Sequence, residues 1–261
     1  MTYEHICVER EHAGRVTRIT LGPPPGNLIS VRLVDELGDA LGIAAAQAET
    51  AIVVISGAGD HFSYGASVEE HRPGEIEQVL PRFHQLVGDL LECPVPTLAA
   101  VSGLCLGGGF ELAMSCSLLF CEAGAKFGLP EIKLGVFPPV ASVLLPRLMG
   151  RALSTKLILG GDPVDASALQ TCGAVSAIAE AGHLDETVTQ FIRESILDKS
   201  TSSLRLAHRA TREEIAAHYR THIPAAEKLY LEELMSTPDA AEGVQAFLEK
   251  RAPRWTSDGK N

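Results

Sequence analysis

Residues 15–21, RVTRITL, alternate polar and apolar side chains with the period of two expected of a half-exposed strand, and GPPPGN then forces an irregular loop. In the segment that follows, SVRLVDELGDALGIAAAQ, the period lengthens and Leu33, Val34, Leu37 and Leu41 fall on one side of a helix. AIVVISG (51–57) is a β-branched run closed by the Gly-rich GAGDHFSYGAS, which predicts a strand buried on both faces and a loop behind it. Residues 76–92, IEQVLPRFHQLVGDLLE, return to helical spacing, with a bend expected at Pro81. PTLAAVSG (96–103) and SLLFCEAG (117–124) read as two more buried strands around a helix of about two turns. Strand, loop, helix, strand at this rhythm predicts an α/β protein with crossover connections. After about residue 200 no β-branched run recurs, and SSLRLAHRATREEIAAHYRTHIPAAEKLYLEELMS through AAEGVQAFLEKRAPRW is helix-compatible. The pattern divides the chain into an α/β core, 1–200, and a helical region, 201–261.

Composition narrows function more than fold. With 261 residues, 46% of them hydrophobic, the chain can bury a large core as one extended domain or a domain with an appendage. The formal net charge of −11 argues against the broad basic face that nucleic acid or an anionic membrane would need, so neither is an expected partner. Six cysteines (7, 93, 105, 116, 121, 172) form no CxxC pair, and MTYEHICVEREHAG is too polar for a signal peptide. The expectation is a cytoplasmic protein, with Cys116 and Cys121 as small core residues. No run of about 18 uninterrupted apolar residues occurs, so no spanning helix is expected.

The commonest chemical motifs fail. Glycines 107–109 do not fit G-x-G-x-x-G, and neither a P-loop nor a G-x-S-x-G elbow is present. His208, His218 and His222 fall at helical spacings without clustered acids or cysteines; a solvated helix face is expected there, and no metal site. What remains is CLGGGFELAMSC (105–116), three glycines against an apolar helical segment carrying one carboxylate, Glu111. A Gly-rich turn feeding a helix presents backbone N–H groups without intrahelical partners and lets a ligand approach them, the arrangement that stabilises an enolate or other oxyanion. Tight helix–strand packing, with Glu111 answering the helix dipole, is the competing reading. A second isolated carboxylate, Glu131 in FGLPEIKLG (127–135), follows 20 residues later. Two acids among hydrophobic neighbours point to paired acid/base work, because burial raises carboxyl pKa values toward neutrality. The backbone at Ala66, in HFSYGAS (61–67) after the first buried strand, is placed to supply a second oxyanion donor.

Taken in order, FSYGAS, GGGFELAMSC, FGLPEIKLG and a tail ending AFLEKR resemble the crotonase superfamily of enoyl-CoA hydratases and isomerases over essentially the whole chain. The resemblance implies a spiral of ββα units with a C-terminal helical trimerisation region, assembled as a trimer or hexamer. It makes the N–H groups of Ala66 and Gly108 the oxyanion hole for a thioester carbonyl, and matches Glu111 and Glu131 to the two catalytic glutamates of the hydratases. Phe247 and Lys250 match a tail position that reaches the CoA of a neighbouring subunit, with a solvated helix end as the other reading. Coenzyme A would arrive as part of the substrate, and no separate cofactor is implied.

The departures carry the specificity question. Where common hydratases have a glycine-rich PGAGGTQRL-like segment after the second glutamate, this chain reads VFPPVASVLLPRL (136–148), and Ser67 stands where Asp is common. FSYGASVEEH and GLPEIKLGVFPPVASVLLP are similar to stretches of the cyclohexa-1,5-diene-1-carbonyl-CoA hydratases of anaerobic aromatic degradation. Hydration of that cyclic dienoyl thioester is the implied reaction. A generic short-chain enoyl-CoA hydratase, a CoA-dependent isomerase or decarboxylase, and a non-catalytic acyl-CoA-binding subunit are the alternatives. Glu69, Glu70 and His71 are read as a solubilising loop.

Overall fold

The computed structural model describes residues 3–71 and 74–256. Nine strands are described: β1 (Ile6–Glu11), β2 (Val16–Leu21), β3 (Ile52–Gly57), β4 (Thr97–Val101), β5 (Leu104–Leu106), β6 (Leu118–Glu122), β7 (Lys126–Gly128), β8 (Val164–Asp165) and β9 (Ala177–Ala179). They form a six-stranded sheet ordered β1-β2-β3-β4-β6-β9 and a three-stranded sheet ordered β5-β7-β8. Only β1–β2 and β7–β8 pair antiparallel; the remaining pairs are parallel. The chain steps from the large sheet to the small one and into a helix, first through β4 and β5, then again through β6 and β7. This repeated ββα step is the spiral that the family resemblance implies, and it carries the crossover connections expected from the pattern.

The continuous apolar runs became β3 and β4, in the middle of the large sheet with both faces covered. The half-exposed β2 of the sequence pattern is largely covered as well. It lies between β1 and β3, and Arg18 is held by Glu11 and Asp185, each at 3.0 Å. At Arg18 the alternation therefore marks a side chain that is paired rather than solvated.

The helices that shape the site are α1 (Val31–Ala46), α2 (Ile76–Glu92), α3 (Gly108–Ser115), α4 (Pro139–Leu148) and, far along the chain, α5 (Thr201–Lys228) and α6 (Pro238–Leu248). Ser30 caps α1 by accepting from the Leu33 amide, and Leu33, Val34, Leu37 and Leu41 are buried as their spacing predicts. α2 is one helix through Pro81: burial of Ile76, Val79, Leu80, Phe83, Leu86, Val87 and Leu90 outweighs the roughly 3 kcal/mol that an interior proline costs. Glu70 is not merely a solvating loop residue. Its carboxylate accepts from the Val31 amide at 3.2 Å, satisfying a donor at the start of α1.

α5 packs against α2 and α4, burying Ile215, Ala216 and Tyr219 in the main core. The solvated histidine face fails at His208, which is 7% exposed and hydrogen-bonded to the Ser117 hydroxyl. Burial first, then the Arg212 charge, lowers its pKa to about 4. His218 meets the Val143 carbonyl at 3.2 Å and the ring of His222. Cys116 and Cys121 are buried core residues. Among the described residues no helix is long and apolar enough to cross a membrane.

Candidate active site

The three glycines of the opening motif have three different neighbours. Gly107 precedes α3 with φ 51°, and a Cβ there would stand 2.6 Å from Oε1 of Glu131. A Cβ on Gly109 would stand 2.5 Å from the Cβ of Ser63. On Gly108 it would meet the Ala66 nitrogen at 3.6 Å, an ordinary contact distance. Gly107 and Gly109 thus permit close approach, whereas beside Gly108 there is room for a single methyl-sized group in contact with the Ala66 amide.

Those two amides come from different strand-following turns, and the fold ties both turns down. Ile29 donates to the Gly65 carbonyl at 2.9 Å and accepts from Ser67 at 3.3 Å, which leaves the intervening Ala66 N–H directed away from that bridge. Buried Asn27 donates to the carbonyls of Ala58 and His61, and the Ser63 hydroxyl donates back to Asn27 at 2.8 Å. Gly108 is the first residue of α3, so its N–H has no intrahelical acceptor. Among the described residues neither the Ala66 nor the Gly108 amide donates a hydrogen bond.

Glu111 lies in the first turn of α3 and is 5% exposed. Its Oε1 accepts from the Ala141 amide of α4 at 2.7 Å. Burial raises its pKa, opposed by the amides of Ala141 and Val140. Glu131 is carried on a single 3-10 turn, Pro130–Leu134, and its Oε2 is buried without a hydrogen-bond partner. Burial raises its pKa too, and the neighbouring charge of Glu111 raises it further. The two carboxyls are therefore unequal. Glu111, supported by amides, is the easier to ionise; Glu131 holds its proton more tightly.

Both acids line an inner chamber of about 40 Å³ together with Ala66, Gly108, Phe137, Pro138, Pro139 and Tyr230. It shares Ala66 and Glu131 with an open cavity of about 450 Å³, bordered by Tyr64, Leu106, Lys133, Leu134, Phe247 and Arg251. Four sequence-derived residues, Ala66, Gly108, Glu111 and Glu131, are thus brought together. Phe247 borders the outer cavity at 53% exposure. Lys250 lies just past the end of α6 and is not among the cavity's lining residues; Arg251 is, paired with Glu242 and Glu249.

The sequence reading missed Tyr230, the amide of Ala141 and Arg251. Tyr230 and Arg251 lie in the helical tail, where periodicity reports a buried face but not what it covers. The Ala141 amide follows two prolines that start α4, and Pro139 at the first helical position was its available signal. Among the described residues no three His, Cys, Asp or Glu side chains group as metal ligands would.

The chain is similar to known proteins over nearly its whole length. A family model described as "Enoyl-CoA hydratase/isomerase" matches residues 11–258. The chain is 40% identical over 250 residues to cyclohexa-1,5-dienecarbonyl-CoA hydratase of Thauera aromatica, covering 96% of this chain and 95% of that one. It is 35% identical over 259 residues to a probable enoyl-CoA hydratase, echA8, of Mycobacterium tuberculosis, covering 98% and 99%. Among solved structures, an enoyl-CoA hydratase/isomerase from Xanthobacter autotrophicus Py2 superposes with a TM-score of 0.86 at 29% identity, covering 95% of this chain and 94% of that one.

Proposed function

The chain belongs to the enoyl-CoA hydratase/isomerase family, and from that premise we propose that it adds water across a conjugated double bond of an acyl-CoA thioester, with cyclohexa-1,5-diene-1-carbonyl-CoA as its substrate. The carrying observation is the unequal carboxyl pair, Glu111 and Glu131, on one small chamber beside two unengaged amides. Conjugate addition pushes negative charge onto the thioester oxygen. Donors fixed at Ala66 and Gly108 stabilise that charge more in the transition state than in the ground state. The ionised Glu111 takes a proton from the water as its oxygen bonds to carbon, and the protonated Glu131 delivers a proton to the adjacent carbon. The addition leaves Glu111 protonated and Glu131 ionised; transfer of that proton from Glu111 to Glu131, directly or through a water, resets the pair, so over a full cycle one water supplies both hydrogens and the oxygen.

An inner chamber of about 40 Å³ suits a water and is smaller than a six-membered ring. The ring accordingly lies across the junction with the outer cavity, its reactive carbons facing the chamber. Support for a cyclic acyl group comes from the wall of Phe137, Pro138 and Pro139 and from the relative at 40% identity. A rigid wall favours a planar ring, which loses less freedom on binding than a mobile chain. The relatives named as generic enoyl-CoA hydratases favour a second reading, hydration of short linear enoyl-CoA thioesters.

Coupled kinetics on both substrates decide between them. The cyclic dienoyl-CoA is expected to exceed crotonyl-CoA in kcat/KM by at least ~10-fold, the scale available from pocket fit. Equal or better turnover of crotonyl-CoA leaves the linear reading. Family assembly and the exposure of Leu206, Leu229 and Phe247 support a homo-oligomer built through residues 201–261, with Phe247 and Lys250 reaching CoA bound by a neighbouring copy.

A further inference from the structure

Beyond Lys228 the chain stays helical but changes its ladder, forming a π-helical turn over Leu229–Glu233. Such turns rotate the side chains they carry out of the preceding register and recur at functional sites. Tyr230 lies in this one. It is 1% exposed, and its ring meets Phe137 edge-on with centroids 5.5 Å apart. Its hydroxyl, fully buried, has no hydrogen-bond partner among the described residues, and neither has Oε2 of Glu131. Both residues line the inner chamber, with Glu111 on the same chamber.

Buried polar atoms are almost always bonded, and a phenylalanine would supply the same ring against Phe137 without the cost of burying a hydroxyl. Two unbonded polar atoms from different elements, on residues that line one chamber the size of a water, mark a place shaped for a polar guest. We propose that Tyr230 donates a hydrogen bond to the oxygen atom that hydration transfers: the water before addition and the new hydroxyl group after it. This rests on the hydratase reading above. Burial, then the charges of Glu131 and Glu111, raise the phenol's pKa, so it acts as a donor throughout and exchanges no proton. Glu111 then takes the water's proton while Tyr230 holds its oxygen, fixing which lone pair faces the acyl carbon.

Tyr230→Phe tests this with the full-length protein. Hydration kcat is expected to fall ~10-fold or more, with KM for the enoyl-CoA little changed. The thermal midpoint should stay level or rise, since the lost hydroxyl has no partner in the free protein. Calorimetry with 3-hydroxybutyryl-CoA against butyryl-CoA, and with hydroxycyclohexene-carbonyl-CoA against its deoxy analogue, each hydroxylated ligand first brought to equilibrium with its enoyl form, reads the contact as an affinity rather than a rate. Wild type should prefer the hydroxylated ligand of at least one pair, and Tyr230→Phe should lose most of that preference. Unchanged preference or kcat in the variant overturns the proposal. So does equal weakening for both ligands with a lowered midpoint, which is a packing defect, or a wild type with no preference at all. A wild type that hydrates nothing yet prefers the hydroxylated ligand through Tyr230 overturns the hydratase reading and leaves this contact standing.

Discussion

The amide of Ala141, in the first turn of α4, donates a 2.7 Å hydrogen bond to Oε1 of Glu111, in the first turn of α3. Two helix starts meet at one carboxylate, so the wall segment that distinguishes this chain also lowers the pKa of Glu111 against the effect of burial. A positioned acid or base contributes ~10²-fold or more to turnover. Glu111→Gln and Glu131→Gln should each lower kcat by at least that factor while affinity for a saturated acyl-CoA changes little. Near-normal turnover in either variant removes that residue from the chemistry.

The same burial predicts a pH effect on stability. Both carboxyls have pKa values raised in the folded protein, so the fold favours their protonated forms. The stability this confers is present below the ordinary carboxyl pKa and is lost as pH rises through the raised values. Glu131→Gln, which cannot ionise, should therefore match wild type in urea unfolding near pH 4 and exceed it near pH 8. The reverse order would contradict a buried, charge-averse Glu131.

His208 gives the opposite sign. Its folded pKa, about 4, is depressed, so the fold favours the neutral ring. Stability from this source is intact above the unfolded value near 6.5 and is lost as pH falls from there toward 4, by up to about 3 kcal/mol. His208→Gln should flatten that part of the acid limb, while costing some stability at pH 8 through the lost Ser117 contact. An unchanged acid limb would show that other groups control it.

Assembly is open to a gentler test than truncation, because Ile215, Tyr219 and Tyr230 are core residues and removing the tail would empty the core. Leu206, on α5, is 59% exposed. Leu206→Asp should leave the monomer fold intact by circular dichroism while light scattering reports a smaller species than wild type. An unchanged mass would take this face out of the interface.

Elements whose pattern depends on local burial were legible in the sequence: α1 and α2 by their apolar faces, β3 and β4 by their continuous runs. The acids were legible as isolated charges in apolar surroundings. What escaped depends on long-range contact. Arg18 and His208 read as solvated because sequence shows polarity but not the partners, Asp185 and Ser117, that bury it. Tyr230 looked like one aromatic among many in a helical tail, because its place in the chamber follows from a change of helix ladder and a contact with Phe137.

The glycine triplet yields the sharpest contrast between packing and chemistry, because its three members should respond differently to the same added methyl group. Gly107→Ala forces a Cβ against the Glu131 carboxylate at a positive φ, and Gly109→Ala drives one into Ser63; both should lose stability, by ~1–3 kcal/mol. Gly108 has ordinary φ, and its new methyl would meet Ala66, Phe83 and Ile29 at 3.6–3.8 Å, which the fold tolerates. On the proposed reaction that methyl, 3.6 Å from the Ala66 nitrogen, would crowd the place proposed for the thioester oxygen. Gly108→Ala should therefore unfold like wild type, within ~0.5 kcal/mol, yet lose ~10²-fold in kcat/KM. Gly124→Ala, with nothing within 4 Å of the added carbon, serves as the neutral control. A fully active Gly108→Ala would show that a side chain at this position does not intrude on the substrate's oxygen, and would leave Gly107 and Gly109 as the two glycines that the fold requires.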